Sequence, residues 1–501
     1  MTLDKNCDSN ADRATLFRRV LTRLQKKRRK ITGATVLIAH VLGAFTSVQA
    51  IMETRTSQGA IAWAISLNTI PYVAVPAYWV FGRSDFKGYV TARRTERKQL
   101  EPFWDQFEAS LLERNLVPEP ERPDPYVTEE LAKLPATIGN DAELLIDGEQ
   151  TFPSILQGIS RANDYILVQF YIIRDDPTGH ELREALIRKA TAGVRCLVLY
   201  DEIGSKLPKS FLGPMREAGV QIHPFNSTQG DTNRFQLNFR NHRKIVIVDG
   251  KEAWVGGLNV GDEYKGLDPK VGYWRDTHMR VEGPIVQTIQ VSFAEDWQWA
   301  AKQTLIDLNW DPQPAENGSN VRMLCLPSGP VDPMETCTLF FLYAINTAKK
   351  RLWIATPYFV PDQQFISALQ LAALRGVEIR LLIPDEGDSS MVDLSAWSFL
   401  PELHQSGIEV YRYTKGFMHH KVTVIDDRYC TIGTANFDNR SFRLNFEVTM
   451  GVDDEEFTSE VVRMLEEDFS NARKVERGEY DQKSGWFKFW SRASRLAAPV
   501  Q

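Results

Sequence analysis

The stretch Asn241-His242-Arg243-Lys244-Ile245-Val246-Ile247-Val248-Asp249 decides the fold, because its frame returns as His419-His420-Lys421-Val422-Thr423-Val424-Ile425-Asp426. A polar triplet beside four apolar, mostly β-branched residues reads as a buried strand that carries its chemistry at the N-terminal end. Residues two apart on a strand share a face, so His242 and Lys244 point one way, as do His419 and Lys421; Arg243 and His420 point the other. A small-residue turn and an asparagine follow each copy, Gly256-Gly257-Leu258-Asn259 and Gly433-Thr434-Ala435-Asn436. Both 419 − 242 and 436 − 259 equal 177, so frame and turn repeat as one unit. A lone His-x-Lys is usually a core or surface feature. Two copies in register, each with lysine, aspartate, glycine turn and asparagine, mark a doubled site.

The repeat extends outward. Tyr165–Ile173 answers to Leu352–Val360, Gly193–Asp201 to Gly376–Asp385, and Gly219–Ile222 to Gly407–Val410, with helical stretches between them. Strands alternating with helices imply βαβ units. The expected fold is α/β, with two homologous lobes, at 141–312 and 313–475. Each is a mixed sheet sandwiched by helices, and they pack pseudo-twofold with both motif strands at the shared seam.

Ahead of the lobes stands a basic tail, 1–30, with ten Lys/Arg against Asp4, Asp8 and Asp12. From Ile31 to Met52 there is no Asp, Glu, Lys or Arg. At a rise of 1.5 Å per residue such a run spans roughly 33 Å, about a bilayer core. Residues 59–82 form a second uncharged run with Pro71 and Pro76 inside, and Glu53 to Gln58 separate the two. A transmembrane hairpin over 31–82 is expected; the rival for the first run, a cleaved signal peptide, lacks a clean cleavage site and is followed at once by another span. The N-terminal cluster and Arg83, Lys87, Arg93, Arg94, Arg97 and Lys98 flank the hairpin with positive charge, and its loop carries Arg55 as its one basic residue. The positive-inside rule then places both ends and the body in the cytoplasm. Residues 83–140 read as a connector. In the tail, 476–501, the aromatic and basic Trp486–Leu496 suits either a helix on anionic lipid or a cap on the body.

Composition narrows the partners. The 501 residues hold 59 Lys/Arg and 65 Asp/Glu, and beyond residue 30 the balance is 49 basic to 62 acidic, a formal −13. So acidic a body is no nucleic-acid binder by bulk electrostatics. Five scattered cysteines without C-x-x-C spacing imply neither a disulfide framework nor a zinc site.

The doubled frame resembles that of the phospholipase D superfamily, which implies phosphodiester transfer, a reaction that needs a nucleophile, an acid for the leaving alkoxide, and cations against the phosphoryl charge. Two histidines can divide the first two tasks. Lys244 and Lys421 can neutralise the non-bridging oxygens, and Asn259 and Asn436 can add neutral donors. No Asp/Glu cluster resembles a magnesium or calcium loop, so neither metal nor cofactor is expected. A carboxylate should hold each imidazole in the right tautomer, for which Glu447 and Asp276 are the candidates. Asp249 and Asp426 belong to the motif, yet in Asp249-Gly250 and Asp426-Asp427 they also suit a turn or cap.

The doubled H-x-K-x4-D with its trailing G-G/T-x-N resembles the phospholipase D superfamily from about residue 140 to 475. Within it, the N-terminal hairpin and Thr356-Pro357-Tyr358-Phe359-Val360-Pro361-Asp362 are similar to bacterial cardiolipin synthases, though the basic N-terminal extension is unusually long. The resemblance implies a catalytic set of His242, Lys244, Asp249, His419, Lys421 and Asp426 and a phosphohistidine intermediate, with His242 as the favoured nucleophile and His419 as acid/base. It implies an integral enzyme of the bacterial inner membrane that converts two phosphatidylglycerols to cardiolipin and glycerol. The alternative is a hydrolytic phospholipase D that releases phosphatidic acid.

Overall fold

In the computed structural model, which describes residues 7–54, 56–82, 89, 103–118, 125–225 and 238–500, the two motif frames sit in two sets of strands with one connectivity. The first set is Thr137–Ile146 (β1), Tyr165–Phe170 (β2), Arg195–Tyr200 (β3), Gln221–Pro224 (β4), Ile245–Val248 (β5), Glu252–Gly256 (β6) and Thr277–Glu282 (β7). The second is Val321–Ser328 (β8), Arg351–Ala355 (β9), Glu378–Pro384 (β10), Glu409–Tyr413 (β11), Val422–Ile425 (β12), Tyr429–Gly433 (β13) and Asn445–Asp453 (β14). Each strand of the first set answers to the strand seven labels later in the second.

All of them join one mixed sheet. It runs β4-β3-β2-β5-β6-β7-β1 through the first lobe and β8-β14-β13-β12-β9-β10-β11 through the second, with Ala472–Lys474 on the outer edge. The lobes meet where β1 pairs antiparallel with β8, Thr137 opposite Met323 and Asn140 opposite Val321. Asn140 pins this seam, donating through Nδ2 to Val321 O at 3.0 Å and accepting from Ile285 N at 2.8 Å. Helices cover both faces, so the central strands are buried throughout and are mostly apolar, with Gln169 and Thr423 the polar residues in β2 and β12.

The motif strands are short for a physical reason. β5 and β12 each end in an aspartate in the left-handed region, Asp249 at φ 52° and Asp426 at φ 56°. Asp249 accepts from the backbone N–H of Asn163, Asp164 and Tyr165 at 2.8–2.9 Å, and Asp426 from those of Lys349, Lys350 and Arg351 at 2.6–3.1 Å. Each carboxylate therefore closes the turn and ties it to the start of the neighbouring strand, β2 or β9.

The N-terminal residues form a separate helical unit. One helix runs Cys7–Glu53, and its stretch Gln25–Glu53 is long and apolar enough to cross a membrane. The second uncharged run is not one continuous span. A helix Ser57–Thr69 stops at Ile70 (φ −134°, ψ 57°) and resumes as Pro71–Ala77. Proline pushes its predecessor out of the helical region, which breaks the run. The two runs still pack closely: Asn68 Nδ2 donates to Ser47 Oγ at 2.7 Å, and a Cβ at Gly43 would meet Leu67 O at 2.1 Å. Residues 26–30 of the basic cluster are exposed. Lys5, Arg55, Arg83, Lys87, Arg93, Arg94, Arg97 and Lys98, and the side chains of Arg13, Arg18, Arg19 and Arg23, lie outside what is described. So does part of the expected connector; within it, residues 103–113 are helical and bury Phe107 and Leu111.

At the other end, helix Gly485–Ser494 starts on a Ser484 cap, whose side chain accepts from Phe487 N at 3.2 Å. Phe487 turns inward against Trp397 with ring centres 5.7 Å apart, while Trp486, Phe489 and Trp490 are more than half exposed. The helix thus caps the body with one face and leaves an aromatic face outside.

Candidate active site

Sequence periodicity puts His-x-Lys inside the motif strand, but β5 and β12 begin one residue after each lysine. The segments ahead of them cross the seam. Arg240–Asn241 pairs in parallel with Asn445–Phe446 of the second lobe, and His242 N donates to Phe446 O at 2.9 Å. Reciprocally, Phe417–Met418 pairs in parallel with Trp274–Arg275 of the first lobe, and His419 N donates to Arg275 O at 2.7 Å. Each histidine is thereby hydrogen-bonded to the opposite lobe.

The carboxylates come from the next residue along. His242 Nδ1–H donates to Glu447 at 2.9 and 3.1 Å, and His419 Nδ1–H to Asp276 at 2.8 Å. Both anticipated carboxylates reach the site, each orienting the other lobe's imidazole. That leaves Nε2 of His242 for chemistry, while Lys421 Nζ lies 3.0 Å from Nε2 of His419. Their sequence spacing hides the equivalence, since Asp276 lies seventeen past Asn259 and Glu447 eleven past Asn436. Strand register reveals it. Gly256 pairs with His278 and Gly433 with Thr449, so Asp276 and Glu447 each stand two residues before the partner of the turn glycine.

The small-residue turns make room for these groups. A Cβ at Gly257 would lie 2.0 Å from Asp276 Oδ1, so only glycine leaves space for that carboxylate. In the second lobe Thr434 takes the matching place and donates its hydroxyl to Glu447 at 2.6 Å; Ser441 and Asn445 add donors at 2.8 and 3.0 Å. Below the first motif, Asp296 gathers Arg243, Asn241 and Gln169 at 2.6–2.8 Å, which accounts for the side chain on the far face.

His242, His419, Asn259 and Asn436 line one cavity of about 890 Å³. The carbonyl of Asn259 accepts from Ile172 N at 3.1 Å, whereas Asn436 Oδ1 has no partner among the described residues. Lys244 Nζ donates to His242 O at 2.7 Å, and Lys421 Nζ to His419 O. Asp249 and Asp426 take the turn role that their sequence context also suits. They close the far ends of β5 and β12 on backbone amides and do not line the cavity.

This geometry matches a known family. Residues 155–297 and 341–469 fit the family described as "Cardiolipin synthase, PLD-like domain". The chain belongs to that family. Relatives described as "Cardiolipin synthase A", from Pseudomonas entomophila and Pseudomonas fluorescens, are 44% and 42% identical over 93% and 94% of this chain and 98% of their own. The crystal structure of phosphatidylserine synthase from Haemophilus influenzae shares the fold, with a TM-score of 0.55 at 13% identity over 72% of this chain and 95% of that one.

In this family member, burial sets the electrostatics. It pushes His242 down to about 4 and His419 down to about 3, outweighing the carboxylates that act the other way. Burial lowers Lys244 to about 7 and Lys421 to about 8, and Lys421 further lowers Lys244. Burial would raise Glu447 and Asp276, but the imidazoles and lysines beside them outweigh it and hold both below the usual carboxylate range. The free site therefore has neutral rings, ionised carboxylates and lysines poised near neutrality. A phosphodiester anion would raise all four cationic pKa values.

Several neighbours escaped sequence reasoning. The Tyr171 ring stands edge-on to His242 at 5.0 Å and Tyr358 to His419 at 6.4 Å. They occupy matching places in Tyr165–Ile173 and Leu352–Val360, so the repeat itself carried that signal. Trp274, 5.0 Å from His419, had no such signal, because it arrives through cross-lobe pairing.

Proposed function

We propose that this chain is a cardiolipin synthase, a phosphatidyltransferase that moves a phosphatidyl group from one phosphatidylglycerol to another and releases glycerol. The observation that carries the chemistry is the pair of imidazoles on one cavity, each oriented by a carboxylate from the opposite lobe. The choice of lipids rests on the relatives described as cardiolipin synthases.

His242, neutral at working pH, attacks phosphorus through Nε2, and Glu447 stabilises the positive charge that grows on the ring. The P–N bond forms as the bond to the glycerol oxygen breaks, and His419 protonates that oxygen. Its proton is held there by Asp276 and the bound phosphodiester charge. His419 then takes the proton from the acceptor's hydroxyl, whose oxygen bonds to phosphorus as the P–N bond breaks. Lys244, Lys421, Asn259 and Asn436 meet the non-bridging oxygens. Asp249 and Asp426 serve by holding the motif strands.

A cavity of about 890 Å³ accommodates headgroups, since small-molecule pockets run to roughly 1,000 Å³. The acyl chains stay in the bilayer. The apolar Gln25–Glu53 and the helices packed on it anchor the chain as a two-pass hairpin. The exposed basic cluster at residues 26–30 keeps both ends cytoplasmic. The aromatic face of Gly485–Ser494 suits contact with anionic lipid.

Incubating the purified chain with phosphatidylglycerol alone and separating the products tests this. Cardiolipin and glycerol in equal amounts are expected. Phosphatidic acid without cardiolipin would mean water is the acceptor and the enzyme a hydrolase.

A further inference from the structure

The cavity departs from its own twofold symmetry, and one departure concerns its positive charge. Under the 177-residue offset Arg240 answers to Phe417 and Arg440 to Glu263, and all four line the cavity. One wall is therefore doubly basic where its counterpart is aromatic and acidic, and on that counterpart Glu263 is held by Arg174 at 3.0 Å. Arg240 comes from the first lobe, two residues before His242 and so on the same face of its extended segment. Arg440 comes from the second lobe and donates to Asn238 O at 2.6 Å, while Arg240 donates to Phe239 O at 2.8 Å, which brings both to one turn of chain.

We propose that Arg240 and Arg440 form a second phosphodiester site, which holds the acceptor lipid's own phosphate while the donor's phosphate lies between His242 and His419. This rests on the transferase reading, because only an acceptor that is itself a phospholipid brings a second phosphate. Two guanidiniums from opposite lobes present planar forks that suit phosphate oxygens. Asp438 and Asp201 favour the charged form of Arg440, and burial raises both carboxyls to about 6. Burial and the neighbouring Arg240 lower Arg440, the mark of a like-charged pair that an anion would relieve. Between this pair and His242 stands Tyr171; burial raises its phenol, and both arginines act against the rise. Broken symmetry also gives the two headgroups different places: donor and acceptor enter a near-twofold site whose halves differ in charge.

The test compares two acceptors on the full chain in mixed micelles. Cardiolipin formation uses an anionic acceptor; exchange of labelled glycerol into phosphatidylglycerol uses the same donor and histidines with a neutral one. In Arg240→Gln/Arg440→Gln, cardiolipin formation should fall roughly tenfold or more relative to glycerol exchange, as expected for lost charge-assisted hydrogen bonds. Arg440→Lys should recover part of it and show its defect in half-saturation by acceptor. Equal losses in both reactions would assign the arginines to the donor or to folding and overturn the proposal, as would no loss in either. A wild-type chain that exchanges glycerol but makes no cardiolipin would overturn the transferase reading, a different outcome from either of these.

Discussion

Replacing Glu447 with glutamine keeps the side chain's shape and removes one charge from beneath His242. Glu447 is fully buried and accepts from His242 at 2.9 and 3.1 Å, Thr434 at 2.6 Å, Ser441 at 2.8 Å and Asn445 at 3.0 Å. The two hydroxyls can turn to accept from the new amide, so the packing survives. What is lost is the anion that balances the charge growing on the ring during attack. Removing one partner of a buried ion pair costs about 3–5 kcal/mol. At about 1.4 kcal/mol per decade, kcat should fall roughly two to four decades, nearer two for the isosteric glutamine. The assay is cardiolipin formation at saturating phosphatidylglycerol, with thermal unfolding as the control. In a double-mutant cycle, Glu447→Gln on a His242→Ala background should cost almost nothing further, because the two act as a unit. Activity within threefold of wild type at unchanged Tm would refute the cross-lobe orientation.

Three further outcomes follow from the same geometry. The pH profile of kcat/KM should fall above about 7, and more steeply above 8, as Lys244 and Lys421 lose their protons; in kcat the limb moves to higher pH because bound phosphodiester raises both. A flat kcat/KM from pH 5 to 9 would remove the lysines from the electrostatics. Asp249→Ala leaves three backbone amides without their acceptor and should destabilise the fold by about 3 kcal/mol, with kcat near normal at a permissive temperature; normal Tm with lost kcat would return this aspartate to the catalytic set. An environment-sensitive label at Phe489→Cys should shift to the blue on vesicles containing phosphatidylglycerol and less on neutral ones. The same label at an exposed site such as Glu181→Cys should not respond. Identical spectra at both positions would leave the tail helix in water.

Much of this was written locally. Four mostly apolar, β-branched residues after each His-x-Lys specify buried strands, and a shared 177-residue offset specifies two lobes of one kind. Two uncharged runs specify an apolar helical hairpin, although Pro71 breaks the second. These features depend on spacing and on residue chemistry within a few positions, which a strand's period of two or a helix's rise converts directly into structure. The roles within the motif were less legible, because a strand pattern says which face a side chain takes and not which end of the strand meets the cavity. Asp249 and Asp426 share the frame with the histidines yet cap its opposite end.

Only the tertiary structure decided which lobe serves which histidine. Loops of unequal length separate Asn259 from Asp276 and Asn436 from Glu447, so counting residues cannot align the two carboxylates; hydrogen-bonded register does. The pairing of Arg240 with Arg440 is likewise invisible in one dimension, since each arginine reaches the cavity from a different lobe. The histidine–carboxylate contacts across the seam join residues 143 and 205 positions apart, and no local preference of the chain encodes such a meeting; it exists only once both halves of the sheet have closed around the same cavity.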